Sequence, residues 1–522
     1  MGRLPPGDTP VFIVGAGPTG LVLALVLTKL GVRVRLIDQT PGPARYSRAL
    51  GVHARTLEFY RQLGFADAVM EGGVVAKGVS LWVKRARVAR LPLANAGDGL
   101  TPFPFVLSFA QNDHERLLIE QLERLGVTVQ RETRLAHFEM TDGGVRATLA
   151  RADGAEEVCD ALYIAGCDGA HSVVREGLRL GFPGGTYTKL FYVADVTATG
   201  PVTDGDFHVD LDTNDLLAVF AMKGKGHVRL VGTIRDDAAP AEQELTFDDV
   251  SHHLMTQLGI TIESVHWFST YRVHHRVASR FQSGRAFLLG DSAHIHSPVG
   301  AQGMNTGIGD AMNLGWKLAS VLQGTAAPAL LDTYEPERIR FARRLVATTD
   351  RAFVLVSTPS RLAAFARTRI VPIVFPFVLS IPPARRWLFR TISQIAINYR
   401  HSRLSHGTAG DVHGGDRLPW VAPEPGSDGK TDNFTPLETM AWQVHVYGEA
   451  RADFAAACAE LGLEVVEIAW RPAMRAAGLA RDAAYLVRPD GYVALADAAA
   501  DAGTLSAFIA RAGIEQTRAI AP

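Results

Sequence analysis

The stretch Val11-Phe12-Ile13-Val14-Gly15-Ala16-Gly17-Pro18-Thr19-Gly20 decides how the chain begins to fold. Four apolar residues in a row mark a short strand buried on both faces of a parallel sheet. The glycines that follow are spaced Gly-x-Gly-x-x-Gly, and Leu21 to Leu30 continues in helical character. Gly15 allows the tight turn, Gly17 lets the backbone approach a pyrophosphate, and Gly20 lets helix and strand pack closely. The helix N-terminus at Pro18 and Thr19 offers free N–H groups and partial positive charge to phosphate. Val32 to Ile37 reads as the next strand. It ends at Asp38, whose carboxylate can accept ribose hydroxyls and would repel a 2′-phosphate. The unit is expected to bind a dinucleotide, with NADP disfavoured at this position.

Two further motifs stand far along the chain. Gly166-Cys167-Asp168-Gly169-Ala170-His171-Ser172 follows a strand at Ala161–Ala165, and taken alone it is a strand-end turn with a capping Asp. Gly290-Asp291-Ser292-Ala293-His294 follows a short buried strand at Ala286–Leu289. It leads through Pro298-Val299-Gly300-Ala301-Gln302-Gly303-Met304-Asn305 into a long helix that runs past Leu318. A carboxylate at Asp291 can bind a polyol chain. The N-terminus of the following helix can stabilise negative charge on the pyrimidine end of a reduced flavin. Together the three motifs describe one site for an entire FAD.

Composition bounds the rest. A chain of 522 residues is too long for one core and implies two to four domains. Lys+Arg number 53 against 54 Asp+Glu, so no overall basic excess points to nucleic acid or an anionic membrane. Cys159, Cys167 and Cys458 have neither the number nor the spacing of a disulfide framework or a metal cluster, which fits a reducing, cytoplasmic setting. His274-His275 has the wrong spacing for a metal pair on one helix face, and no metal is expected. The first residues lack the apolar run and cleavage site of a signal peptide. The most apolar later stretch, Ile370 to Pro383, is too short to span a bilayer and is interrupted by Pro372 and Pro376. Core or interface packing is expected of it, ahead of peripheral membrane contact.

The expected fold class is α/β. Residues 1–180 and 271–400 form a Rossmann-like unit, 181–270 an inserted antiparallel sheet, and 405–522 a small α/β domain. Within this plan Arg55–Leu63 is helical, and strands in 78–107 leave the first unit for the inserted sheet. Asp113 caps a helix that runs to Leu125. Val127–Gln130 and Gly144–Ala150 are strands. Phe207–Leu211, Leu216–Met222 and His227–Ile234 belong to the inserted sheet. Residues 335–400 are mostly helical, and the Gly-, Pro-, Asp- and Ser-rich segment near 405–440 marks a boundary. The tail carries strands at Trp442–Tyr447, Glu464–Ile468 and Ala484–Leu495, the last bent at Pro489-Asp490-Gly491.

On these motifs the chain resembles the single-component flavoprotein aromatic hydroxylases of the para-hydroxybenzoate hydroxylase fold, over roughly residues 10 to 400. The resemblance implies that Asp168 belongs to an Asp-Gly motif tied to FAD and nicotinamide handling, and that Asp291 binds the ribityl chain. It places FAD-contacting side chains at Arg48 and Gln111, and the run Arg55-Thr56-Leu57-Glu58 is also similar to the family. Gly415-Asp416-Arg417-Leu418-Pro419 and Leu486-Val487-Arg488-Pro489-Asp490-Gly491 resemble the thioredoxin-like C-terminal domain of the phenol hydroxylase branch. Cys458 stands alone there, so thiol–disulfide chemistry lacks a resolving sulfur.

The family's reaction is carried by the cofactor. NADH or NADPH visits transiently and reduces FAD, O₂ adds to make a flavin hydroperoxide, and the terminal oxygen passes to an electron-rich phenolic or polycyclic aromatic ring. Epoxidation and antibiotic or polyketide modification are alternatives on the same fold, and a non-catalytic flavin sensor is a further one. Tyr192, His208, Arg229 and Tyr271 lie on or near the inserted sheet and are candidates for activating the phenol. His294 and His296 flank the flavin loop. Arg45, Tyr46 and Arg48 form a polar approach. A small aromatic substrate and a homodimer are the expected partners, with no nucleic acid and no membrane span.

Overall fold

The computed structural model describes residues 9–44, 49–83, 85–93, 96–210, 216–234, 245–250, 253–297, 300–357, 362, 365–424, 426 and 431–514. Arg45, Tyr46, Arg48 and Pro298 lie outside the described residues. The first sheet is built on the strand Thr9–Val14, in which Val11, Phe12 and Ile13 are fully buried. It is flanked in parallel by Val34–Ile37 on one side and Glu156–Gly166 on the other, and Ala286–Leu288 follows beyond the latter. Register decides what this sheet delivers. Val14 is paired with Gly166, and Gly166 with Leu288. The strands that lead into Gly15, Asp168 and Asp291 therefore end at one level. All three motifs emerge side by side at the carboxyl edge, where open α/β sheets bind ligands.

Helix Pro18–Lys29 packs against helix Gly303–Leu322. Gly315 permits the approach: a Cβ there would come within 2.5 Å of Val26. The helix beginning near 113 starts two residues earlier, at Gln111, with Ala110 as its N-cap. Asp113 is thus not the cap; its carboxylate accepts from Arg116, one turn on. Val127–Gln130 forms no strand, only an isolated bridge from Gln130 to Ile37. Thr133–Met140, which periodicity did not separate, forms a meander with Val145–Arg151 and Glu156–Gly166.

Among the described residues the second sheet has eight strands. Its longest pair is Gly184–Thr199 and Thr261–Val277, antiparallel and interrupted by bulges. Strand pairing continues past 270 to Val277 and is closed by His294–Ile295. Gly78–Val83 and Ala86–Pro92 from the N-terminal part complete it as the far edge. One face is covered by its own chain, where Tyr192, Leu217, Val219 and Leu230 pack with Phe247, Leu254 and Met255. The opposite face carries Phe191, Tyr271 and Val273.

The third sheet lies at the C-terminus. Gln443–Tyr447 and Glu464–Ile468 are parallel around helix Ala452–Glu460. Ala484–Val487 and Val493–Asp497 add antiparallel to that pair, giving a thioredoxin-like strand order. The expected bent strand Ala484–Leu495 is therefore a hairpin, and Pro489-Asp490-Gly491 is its turn, with Gly491 at a positive φ of 74°. Cys458 is buried in this unit's core.

Candidate flavin site

The three motifs are locked together by contact as well as by register. A Cβ at Gly15 would meet the Cys167 carbonyl oxygen at 2.3 Å, so the first loop lies directly on the second. Thr19 is wedged between the first and third motifs. A Cβ at Gly290 would stand 2.7 Å from Thr19 Oγ1, and one at Gly307 would stand 2.3 Å from it. A Cβ at Gly17 would meet nothing within 4 Å, so the surface above this loop is open. Pro18 sits at the first helical turn, where its missing N–H costs nothing. Thr19 and Gly20 keep the unpaired N–H groups of a helix start. Asp38 closes the adjacent strand. Its Oδ2 accepts from Ala16 N at 2.7 Å, which aims the carboxylate beside the loop and leaves that oxygen a further lone pair, while Oδ1 accepts from both Thr40 N at 2.8 Å and Thr40 Oγ1.

The second motif holds the third in place. Asp168 Oδ1 accepts from Ser292 Oγ at 3.0 Å, and the same hydroxyl accepts from Gly169 N. Asp168 Oδ2 accepts from Val174 N, and Ser172 Oγ accepts from Arg175 N, so the turn-and-cap reading of this segment holds as well. Arg175 donates to the Ser292 and Ala170 carbonyls. Asp291, next to Ser292, is exposed at the sheet edge in the turn Gly290–Ser292.

Helix Gly303–Leu322 begins after a loop whose Ala301 adopts a φ of 51°. The Asn305 side chain is fully engaged. Its Oδ1 accepts from His53 N and Thr56 Oγ1, and its Nδ2 donates to the Gly51 and Ala301 carbonyls. What Gly303, Met304 and Asn305 leave for a ligand is their backbone N–H groups. The run Arg55-Thr56-Leu57-Glu58 serves neighbouring protein: Thr56 binds Asn305, while Arg55 reaches the Asp490 carbonyl and Glu58 accepts from Arg417. Gln111 donates to Glu115, one turn along its own helix.

Several residues of this site were not singled out in the sequence. Asp310 is fully buried beneath the third motif, with Oδ2 accepting from Gly290 N at 3.0 Å and paired with His294 Nε2 at 2.8 Å. Arg338 Nε donates to its Oδ1 at 2.6 Å. Burial opposes ionisation, but Arg338 and His294 outweigh it and hold the carboxyl below the usual range. His53 packs its Nε2 against the Gly300 carbonyl at 2.8 Å, and burial pushes its ring down to about 4. His296 is lowered to about 4 for the same reason. The available signal was Asp310, Asn313 and Lys317 at helical spacing within an otherwise apolar helix.

The four substrate-side candidates do not share a surface. Strand alternation places Tyr192 and His208 on the covered face of the second sheet. There Tyr192 lies over Gly232, and His208 is bonded to Trp82 Nε1 and Asp204. Arg229 and Tyr271 lie on the other face. Arg229 makes a two-pronged pair with Asp195 at 2.6 and 2.7 Å, and its third nitrogen donates to the Ala49 carbonyl at 3.0 Å. Ala49 stands two residues before Gly51, which Asn305 holds, so this face is turned toward the start of helix Gly303–Leu322. Rings line it: Phe191 with Tyr271 at 5.9 Å, Phe207 with Phe220 at 5.0 Å, and Trp267 beside Arg229.

The donor set fits FAD: a phosphate-binding helix start, an acidic strand end, an exposed Asp at the middle of the edge, and a second helix start. Residues 8–349 match the FAD binding domain family, and residues 413–512 match the aromatic-ring hydroxylase C-terminal family. The chain is 37% identical to 6-methylpretetramide 4-monooxygenase of Streptomyces rimosus over 79% of its own length and 74% of that protein's. OxyS anhydrotetracycline hydroxylase from Streptomyces rimosus superposes with a TM-score of 0.78 at 28% identity, covering 98% of this chain and 100% of that one. Aklavinone-11 hydroxylase, solved with FAD and aklavinone, gives 0.79 at 25% identity with the same coverage. The chain is an oxidoreductase and belongs to the FAD-dependent aromatic-ring monooxygenases.

Proposed function

We propose that this enzyme uses NADH or NADPH and O₂ to hydroxylate a polycyclic phenolic substrate of the aromatic polyketide class. The observation that carries the reading is the ring-lined face of the second sheet, turned toward the flavin site and tied to it through Arg229 and Ala49. A flat, fused-ring molecule finds there the apolar and edge-to-face contacts that aromatic side chains favour. The relatives named above act on substrates of that kind.

Bound FAD supplies the redox chemistry and the activation of oxygen. The chain's own part is to bind, orient and exclude water. Gly15, Gly17, Pro18, Thr19 and Gly20 would hold the pyrophosphate, Asp38 the ribose and Asp291 the ribityl hydroxyls. Arg48, Gln111, Pro298 and Gly300 would line the cofactor, and the N–H groups at Gly303, Met304 and Asn305 would face the pyrimidine end. Asp168 acts on this site through Ser292, and Arg229 acts as a positioning residue. Residues 1–180 with 278–400, apart from the strands at 78–92, serve as the cofactor unit, 181–277 with those strands as the substrate sheet and 405–522 as a structural unit. A cytoplasmic setting suits the reduced nicotinamide that the reaction consumes.

The test is anaerobic stopped-flow reduction of the bound flavin by NADH and NADPH, with and without candidate polycyclic phenols. A true substrate should accelerate reduction at least about tenfold, equivalent to about 1.4 kcal/mol of barrier. The aerobic product should carry one extra oxygen per nicotinamide consumed. Equal reduction rates without any aromatic compound would overturn the substrate-triggered reading. Asp291→Ala should lower FAD occupancy, because a buried polyol loses a charge-assisted partner worth about 1.5–3 kcal/mol.

A further inference from the structure

The apolar stretch Ile370–Pro383 is not core. It forms helix Val371–Ser380, which contains no buried residue, followed by helix Pro382–Ile392. Ile370, Ile373, Val374, Phe377, Val378 and Ile381 recur at helical spacing as one outward stripe, with Ile373 72% and Phe377 68% exposed. Trp387 on the second helix is 67% exposed. The hairpin is anchored from beneath by Phe389, which packs with Ala54, Ala96 and Ile395, and it lies along the edge strand Ala86–Pro92 of the substrate sheet. Water-facing apolar stripes of this size mark interaction sites.

The charge around the stripe is one-sided. No Asp or Glu occurs between Asp350 and Asp411, whereas Arg367, Arg369, Arg385, Arg386 and Arg390 fall inside that interval. Arg369, Arg385 and Arg386 form no ion pair among the described residues, and Arg386 donates to the Asp98 carbonyl, while Arg390 lies within electrostatic reach of Asp416 as well as of Arg386 and Arg417. On the adjoining edge strand Arg87 and Arg90 are already paired, with Asp204 and Asp206. The overall balance of −1 hides this segregation.

We infer that this face docks on an anionic lipid bilayer, lying in the interface without crossing it. Among the described residues no helix is long and apolar enough to span a membrane. An apolar helix face with Trp at its margin and unpaired Arg beside it is the make-up of an interfacial anchor, gaining from apolar burial and from attraction to anionic headgroups. A symmetric pair of copies would juxtapose the same patch on both and bring the unpaired Arg369, Arg385 and Arg386 of each close to those of the other. The charge therefore selects an anionic surface over a second copy.

The experiment is flotation of the FAD-loaded protein with vesicles of phosphatidylcholine alone or mixed with phosphatidylglycerol, at low and high salt. Binding is expected only to the phosphatidylglycerol vesicles, weakening with salt. The triple variant Arg385→Gln/Arg386→Gln/Arg390→Gln and the double variant Ile373→Ser/Phe377→Ser should each reduce it at least about tenfold while keeping FAD absorbance. Three results would overturn the inference. They are no flotation of the wild type with anionic vesicles, flotation unchanged by both variants, or a solution dimer that Ile373→Ser/Phe377→Ser converts to monomer.

Discussion

The guanidinium of Arg488 meets the carboxylate of Glu337 through two hydrogen bonds, at 2.9 and 3.1 Å, with both side chains out of contact with solvent. Arg488 belongs to the C-terminal hairpin and Glu337 to helix Tyr334–Ser357 of the cofactor unit. Lys317 and Asn313 also donate to Glu337, and Asp490 accepts from Arg488. Burial would raise the Glu337 carboxyl, but Arg488 and Lys317 hold it far below the usual range. Together with Arg55 on the Asp490 carbonyl and Arg417 on Glu58, these bonds make the C-terminal unit part of the floor beneath the flavin site.

Glu337→Gln should therefore be strongly destabilising, because it strands Arg488 and Lys317 as buried charges with one carboxylate removed. Breaking such a pair costs about 3–5 kcal/mol. Denaturant unfolding at neutral pH checks this. An unchanged midpoint would mean that the two units are not coupled through this contact.

Gly307→Ala should reduce FAD retention by forcing Thr19 out of its seat, since the new Cβ would stand 2.3 Å from Thr19 Oγ1. Overpacking of this kind costs about 1–3 kcal/mol. Adding Thr19→Ala removes the clashing oxygen and should partly restore retention, giving a positive coupling in a double-mutant cycle. The readout is flavin released per protein on gel filtration. Equal losses in the single and double variants would show that Thr19 is not the point of conflict.

How much of this was legible in the sequence depended on local pattern. The strand at Val11–Val14, the glycine loop and the helix after Gly303 are encoded within a few residues each, and they formed as expected. The strands Gly184–Thr199 and Thr261–Val277 were not individually legible: bulges shift their alternation, and the second mixes His, Arg, Thr and Ser with its apolar residues. Asp310 escaped because its partners, Gly290, His294 and Arg338, are brought to it only by the fold. For Ile370–Pro383 only the core half of the expectation fails, because hydrophobicity reports a preference for burial and not what does the burying.

Cys458→Ser should leave turnover within about twofold, since a lone thiol has no resolving sulfur. Cys458 is fully buried in the core of the C-terminal unit, and burial pushes its thiol up to about 11, which suppresses the reactive thiolate. Steady-state NAD(P)H oxidation with a true substrate is the measurement. A large loss in a folded, FAD-replete variant would give this cysteine a chemical role.

Acid should unfold the protein through its histidines before its carboxylates protonate. Burial lowers His53 and His296 to about 4, and His114 and His445 to about 3. Each stays neutral in the folded chain, whereas in the unfolded chain it titrates near 6.5. Below that pH the unfolded state binds protons that the folded state refuses. Stability is therefore fully present above about 6.5 and falls as pH drops toward about 4, with each group contributing up to about 1.4 kcal/mol per pH unit. The melting temperature should accordingly be flat between about pH 6.5 and 8, where the lowered Lys317 begins to matter, and fall steeply from 6.5 toward pH 4.5. His114→Gln removes one of the four groups, and its neutral amide can still meet the Tyr60 hydroxyl that His114 contacts at 2.6 Å. The variant should make the slope shallower. A melting temperature independent of pH between 6.5 and 5 would show that these rings are protonated in the folded protein, and that the site around His53 and Gly300 is wetter than its packing implies.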